Sequence, residues 1–253
     1  MIISHRHRFI FLHCRKVAGS SITAYLNPFL GPDDLQVGSW KDAIKNGGRY
    51  NRRFYMDFVS MKGCGVLLKH LAMSVVRLRR VDLNNAHKSL YRNITGLKPE
   101  QPLAVELKQY APEEWNAYFK FCFVRNPYER AVSDYKWRSR RRQGVSFSEF
   151  LERLADPERP DPERIVPKPR CNWPVYTIDN TPVVDFMGRF ERLETDFRHV
   201  CDIIGIPFED GRFPKAKASP QSSASYREWY GERERQLVKQ VFEKEIDFFG
   251  YQF

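Results

Sequence analysis

Apolar positions along this chain follow two alternating rhythms. "RFIFLH" (8–13) holds a short uninterrupted apolar run, too short for a helix and suited to a buried strand. "SSITAYLN" (20–27) follows and predicts a helix stopped by Pro28. The same strand, loop and helix recur with "YFKFCFV" (118–124), after which "RNP" leads into a helix from about Tyr128 to Arg140. Asn126 suits its N-cap and Pro127 its first turn. Tyr128, Ala131, Val132 and Tyr135 then stand at i, i+3, i+4 and i+7, the spacing of a face packed on a core. A third unit joins "VVDFMGRF" (183–190) to a helix with the stripe Phe197, Val200, Cys201, Ile204, ended by Gly205 and Pro207. An amphipathic helix around 232–245 precedes the tail "FFGYQF".

Strands alternating with helices predict an α/β fold, a P-loop-like three-layer arrangement with a central parallel sheet flanked by helices. No internal repeat or low-complexity linker divides the chain, so one domain over 1–253 is expected. Residues 31–100 are less regular and predict helical excursions around a cleft, and "DPERPDPER" (156–164) predicts a surface loop.

Composition adjusts this picture in three places. The chain has 253 residues, 42% of them hydrophobic, and no run near the ~20 apolar residues of a membrane span. "FIFL" is also too short for the core of a signal peptide. Five scattered cysteines without C-x-x-C, and six histidines without H-E-x-x-H, point to reduced thiols and no metal site. A soluble, cytoplasmic protein is therefore expected, with a membrane-anchored or Golgi precursor as the alternative. The net charge of +11 is clustered as "RYNRR" (49–53), "RLRR" (77–80) and "RSRRR" (138–142). Such clusters are solvated basic faces or sites for polyanions.

Candidate chemistry sits in the two loops that leave the first two predicted strands. In "KVAGSSI" (16–22) the lysine precedes the glycine, the reverse of a nucleoside-triphosphate loop. Gly19 would let the backbone approach a ligand. The amides of Gly19, Ser20, Ser21 and Ile22 at a helix start would face an anion, with Lys16 adding a point charge. The second loop offers Arg125 and, two helical turns on, Ser133, which could grip another phosphate. Arg125 could equally pair with Glu129 or Asp134.

Together, "FLHCRKVAGSSI" and "YFKFCFVRNPYERAVSDY" resemble the sulfotransferases that use 3′-phosphoadenosine 5′-phosphosulfate (PAPS), most closely the carbohydrate-type branch called sulfotransferase family 2. "DFMGRFERLETDF" (185–197) and "IDFFGYQF" are similar to bacterial members. The resemblance implies transfer of a sulfuryl group from PAPS to a hydroxyl, with a glycan or glycoconjugate as acceptor. It assigns Lys16, Val17, Ala18, Gly19, Ser20, Ser21 and Ile22 to the 5′-phosphosulfate and Arg125 with Ser133 to the 3′-phosphate. Lys16 would stabilise the leaving oxygen, and no metal would be required. Cys14-Arg15 departs from the small or apolar pair usual in the branch, so Arg15 is expected to alter the loop's charge.

Two rivals remain from the residues alone. A P-loop kinase or NTPase would need its lysine after the glycine and a magnesium site. A nucleic-acid-binding protein would use the basic charge, yet no recognised nucleic-acid motif is present, so no nucleic-acid partner is expected. For the base that takes the acceptor proton, His87 in "NNAHKSL" is expected at a loop-to-helix junction, where the resembling branch has a histidine. His13, His70 and His199 read as structural, and Glu106 and Glu191 are the next candidates.

Overall fold

The computed structural model describes residues 1–76, 80–95, 101–142, 144–213 and 226–253. Three of the cluster residues at 77–80, namely 77–79, lie outside them. All three predicted strands form: β2 (Phe9–Leu12), β4 (Phe119–Val124) and β7 (Phe186–Arg189). They pair in parallel, Phe9 with Phe119 and Leu12 with Cys122, then Phe121 with Phe186 and Val124 with Arg189. Two short strands that the pattern did not announce, β1 (Ile2–Ser4) and β3 (Leu35–Gln36), extend the sheet to the order β3-β1-β2-β4-β7. The sheet is therefore mostly parallel, because β1 is antiparallel to both neighbours. Only residues 5–8 separate β1 from β2, enough for a tight turn and too few for a parallel crossover. Asp34 fixes that turn: its carboxylate accepts from Ser4 Oγ at 2.6 Å and from the His5 and Arg6 amides at 2.7 and 3.1 Å.

Every residue of β2 is buried, as a central parallel strand covered on both faces requires. Phe9, Phe11, Phe121 and Phe123 lie in one core with Tyr25 and Phe197. Tyr25 belongs to α1 (Gly19–Leu26) and Phe197 to α11 (Leu193–Ile204). Gly205, left-handed at φ 65°, closes α11 as its sequence foretold. A second core joins α8 (Pro127–Ser139), α9 (Phe147–Ala155) and α12 (Glu232–Phe249) through Val132, Phe150, Val238 and Phe242.

The irregular region is largely helical: α2 (Trp40–Lys45), α3 (Arg52–Val59), α4 (Met61–Val76) and α5 (Leu83–Thr95). Trp40, Phe54, Phe58, Ala86 and Leu90 give it a separate small core. Next come α6 (Ala104–Tyr110) and α7 (Pro112–Ala117), and between α9 and β7 lie α10 (Trp173–Tyr176) and the antiparallel pair β5 (Thr177–Ile178) and β6 (Thr181–Pro182). Among the described residues no single helix is long and apolar enough to cross a membrane, although α3 and α4, bent by 89°, pass that test together on length and composition. All five cysteines are free thiols.

Candidate active site

Because β2 and β4 are parallel neighbours in register, the loops that follow them leave the same edge of the sheet. The two motifs consequently touch. Arg125 Nη1 donates to the main-chain oxygen of Lys16 at 3.3 Å, across 109 positions of sequence.

The first loop carries an unusual backbone. Lys16 and Ala18 are both left-handed at φ 63°, a conformation that costs an L-residue on the order of 1–2 kcal/mol. Ala18 turns its carbonyl onto the Ser21 and Ile22 amides, at 2.9 and 3.1 Å. Those two amides close the first turn of α1 and do not face a ligand as the sequence led us to expect. The amides of residues 17–20 meet no protein acceptor among the described residues. A run of unfilled N–H groups in such a turn is an anion-binding concavity. Val17 and Ile22 are fully buried and hold the loop from beneath. Ser20 Oγ lies 3.3 Å from Ser39 Oγ, which ties the loop to the start of α2.

Gly19 also serves a purpose that was not expected. A Cβ there would stand 2.0 Å from the ring of His13, so the absent side chain makes room for that imidazole. Burial, with the positive charges of the N-terminus and Lys88, pushes His13 down to about 3, leaving it neutral. The ring stacks at 5.8 Å on Phe11.

Arg15 points inward. Its Nε donates to Asp134 Oδ2 at 2.6 Å, and its Nη1 and Nη2 to the carbonyls of Pro169 and Arg170 at 3.0 and 3.1 Å. Its backbone exchanges two hydrogen bonds with the Asn172 side chain, at 3.1 and 3.0 Å. The Asn172 amide in turn donates to Glu245, which pairs with Arg130. Burial alone would raise the Asp134 carboxyl, yet Arg15 and Arg138 hold it below the ordinary range. The charge expected to alter the loop is thus neutralised within the protein and fastens the loop to α8 and α12. Sequence reasoning missed this role because Asp134 is 119 positions away.

Among the described residues, Lys16 has no carboxylate partner. Its Nζ lies 5.8 Å from the centre of the Trp137 ring. Burial pushes its ammonium down to about 8, with Arg125, Arg140 and Arg138 adding to the effect and Asp134 opposing it. Arg125 stacks at 4.0 Å on Phe190 and pairs with Glu129 at 2.6 Å, one of the two partners the sequence allowed. Even so, its buried Nε has no partner among the described residues. The Ser133 hydroxyl, part-exposed, also has none among the described residues. A buried donor without an acceptor costs about 1–3 kcal/mol, which an anion placed between Arg125 and Ser133 would offset. Both half-sites therefore fit anionic groups.

His87 lies on α5 within the small core. It is 1% exposed, among Trp40, Phe54, Phe58 and Tyr91. Its Nε2 meets Asp57 Oδ2 at 3.0 Å and its Nδ1 accepts from Trp40 Nε1 at 3.4 Å. Both nitrogens of the expected base are thus engaged within the protein, and burial is the chief cause that lowers its pKa. Of the other candidates, Glu106 caps α6 by accepting from the Leu103 amide at 2.7 Å. Glu191 accepts from the Asn126 amide at 2.6 Å and so stands at the second loop. His70 contacts Ser89, and His199 packs on Phe186. Among the described residues, no group of three or more His, Cys, Asp or Glu is arranged to hold a metal ion.

Two anion-shaped loops on adjacent parallel strands, beneath a P-loop-like α/β sheet edge, define the class. The chain belongs to the Sulfotransferase family, whose sequence profile matches residues 1–252. It is 30% identical over 250 residues to carbohydrate sulfotransferase 14 of Homo sapiens, covering 85% of this chain and 61% of that protein. The protein of the same name from Mus musculus is 30% identical over 229 residues, covering 76% and 56% respectively. The Danio rerio protein is 29% identical over 186 residues. The chain thus spans little more than half the length of the curated relatives it matches. No solved structure matches it significantly.

Proposed function

We propose that this protein transfers a sulfuryl group from PAPS to a hydroxyl of a carbohydrate. The observation that carries the reading is the Arg125-to-Lys16 contact, which unites two anion-binding loops into one site. A nucleotide with separate 5′ and 3′ anionic ends needs such a pair, and the relatives are named as carbohydrate sulfotransferases. When bound, PAPS supplies an activated sulfuryl group: an oxygen–sulfur bond to the acceptor forms as the bridging bond to the 5′-phosphate breaks. The departing phosphate oxygen takes the electron pair, and the acceptor hydroxyl gives up its proton.

In this reading the free amides of Val17, Ala18, Gly19 and Ser20 receive the 5′ anion. The hydroxyls of Ser20 and Ser21 line the same turn, and Ile22 anchors it from the core. Lys16 stabilises charge on the leaving oxygen. Arg125, through its unpartnered Nε, and Ser133 receive the 3′-phosphate. The basic end of α8 favours an acidic or already sulfated glycan, since Arg140 and Arg141 are exposed without protein partners among the described residues. Isothermal titration with 3′-phosphoadenosine 5′-phosphate (PAP), and with ATP plus magnesium, tests the nucleotide. Micromolar PAP binding without ATP binding is expected, and the reverse would overturn the reading in favour of a kinase. A labelled-PAPS screen across glycans, lipids and small alcohols then tests the acceptor class.

A further inference from the structure

The outer side of the α3–α4 elbow is apolar and exposed among the described residues. Tyr55, Met56 and Val59 on α3 are 58%, 56% and 66% exposed. Beyond the bend, Met61, Leu68, Val75 and Val76 on α4 are 94%, 65%, 72% and 83% exposed. At helical spacing Met61, Leu68, Val75 and Val76 fall on one side of α4, where Ala72 is also exposed. The opposite side is engaged: Gly63 packs so tightly on Asp57 that a Cβ would lie 2.0 Å from its carbonyl oxygen. Val66 and Leu67 pack on the small core, and His70 Nε2 meets Ser89 Oγ at 3.2 Å.

Charge selects the occupant. Between Asp57 and Asp82 the sequence holds no acidic residue. Lys62 and Lys69 are exposed on α4, Arg80 follows it, and none has a carboxylate partner among the described residues. Two copies of such a face related by a two-fold axis would bring like charges together. An anionic lipid surface instead accepts both the apolar side chains and the lysines.

We propose that the α3–α4 elbow docks the protein peripherally on membranes rich in anionic lipid. The elbow lies in the interface rather than across the bilayer. Sixteen residues of α4 reach about 24 Å, short of the ~30 Å hydrocarbon core, and its inner side is held by the protein. Exposed apolar groups enter the headgroup–acyl boundary while the basic groups meet the headgroups. This goes beyond the proposed reaction and does not depend on it.

The test is flotation of the full chain with vesicles of phosphatidylcholine alone and of a roughly 3:1 mixture with phosphatidylserine. Binding to the mixed vesicles is expected, weakened by salt and much weaker on phosphatidylcholine. Each lysine near an anionic surface contributes about a factor of five, so Lys62→Gln with Lys69→Gln should lower the partition coefficient roughly 25-fold. Leu68→Glu with Val76→Glu should abolish flotation while the far-ultraviolet spectrum and thermal midpoint stay as in wild type. If that second variant unfolds, the lysine variant still decides. Absence of flotation, or equal binding to both vesicle types, would overturn the proposal. So would a wild-type dimer that Leu68→Glu dissociates without any vesicle binding, which would assign the face to a second copy. PAP affinity in solution, measured on the same variants, should be unchanged and reports separately on the nucleotide site.

Discussion

Arg125 grips the main-chain carbonyl of Lys16 with one nitrogen while another, Nε, is buried without a partner among the described residues. The side chain assigned to the 3′-phosphate therefore also steadies the loop assigned to the 5′ end. Arg125→Lys keeps a positive charge but loses the planar fork. It should weaken PAP binding by about tenfold or more, in line with 1.5–3 kcal/mol for a charged hydrogen bond. Adenosine 5′-phosphosulfate, which lacks the 3′-phosphate, should lose much less. Ser133→Ala should show the same selectivity on a smaller scale. Equal losses for both ligands in calorimetry would mean that these residues only support the loop.

Lys16→Ala should lower kcat about 10²–10³-fold with a smaller loss of PAP affinity. The depressed ammonium adds a pH test. Charge on Lys16 is lost as pH rises through about 8 in the free protein, so kcat/KM should fall above that pH. Lys16→Arg, slower but permanently charged, should lack this limb. Stability has the opposite slope. The unfolded lysine, near 10.4, binds more protons than the folded one between about 8 and 10.4, so stability gains from this residue as pH rises through that window. The urea midpoint of wild type should rise relative to that of Lys16→Met across it.

Gly19→Ala drives a methyl group into the His13 ring. The variant should unfold at lower temperature and bind PAP poorly. The double change Gly19→Ala with His13→Ala should regain most of the thermal midpoint. A single variant with wild-type stability would show that the ring can move aside.

The Arg15–Asp134 pair is buried, and removing one member leaves a charge without compensation. Asp134→Asn should cost about 3–5 kcal/mol and loosen the loop it holds. Since Asp134 is held below the ordinary carboxylate range, its stabilisation is full above the unfolded value near 3.9 and is lost as pH falls through the folded one. The difference between wild type and variant in denaturant melts should shrink in acid.

His87→Ala separates a core role from a catalytic one. A packed histidine bonded to Asp57 predicts a lower thermal midpoint with the shape of the pH–rate profile retained. Loss of the acidic limb with the fold intact would restore His87 as the base.

What could be read from the sequence was local. The strands β2, β4 and β7 announced themselves as dense apolar runs, and Asn126 caps α8 by accepting from the Tyr128 amide at 3.0 Å. Strands β1 and β3 did not, because three and two residues are too few to show a period. The surroundings of Arg15 and His87 were not legible, for one shared reason. Each is polar in its own segment and becomes buried through distant partners, Asp134 in one case and the aromatic wall of α2 and α3 in the other. Gly19 was recognised as special, but the His13 ring that demands it is a tertiary neighbour.

The in-register pairing of β2 with β4 makes the sheet a ruler. Adjacent strands stand about 4.8 Å apart, and this spacing is set by main-chain hydrogen bonds that no side-chain substitution can stretch. The interval between the two loops to which we assign the ends of the nucleotide is therefore gauged by the backbone. A substitution in either loop can weaken the grip at its own end, but it cannot retune the molecule to a longer or shorter ligand.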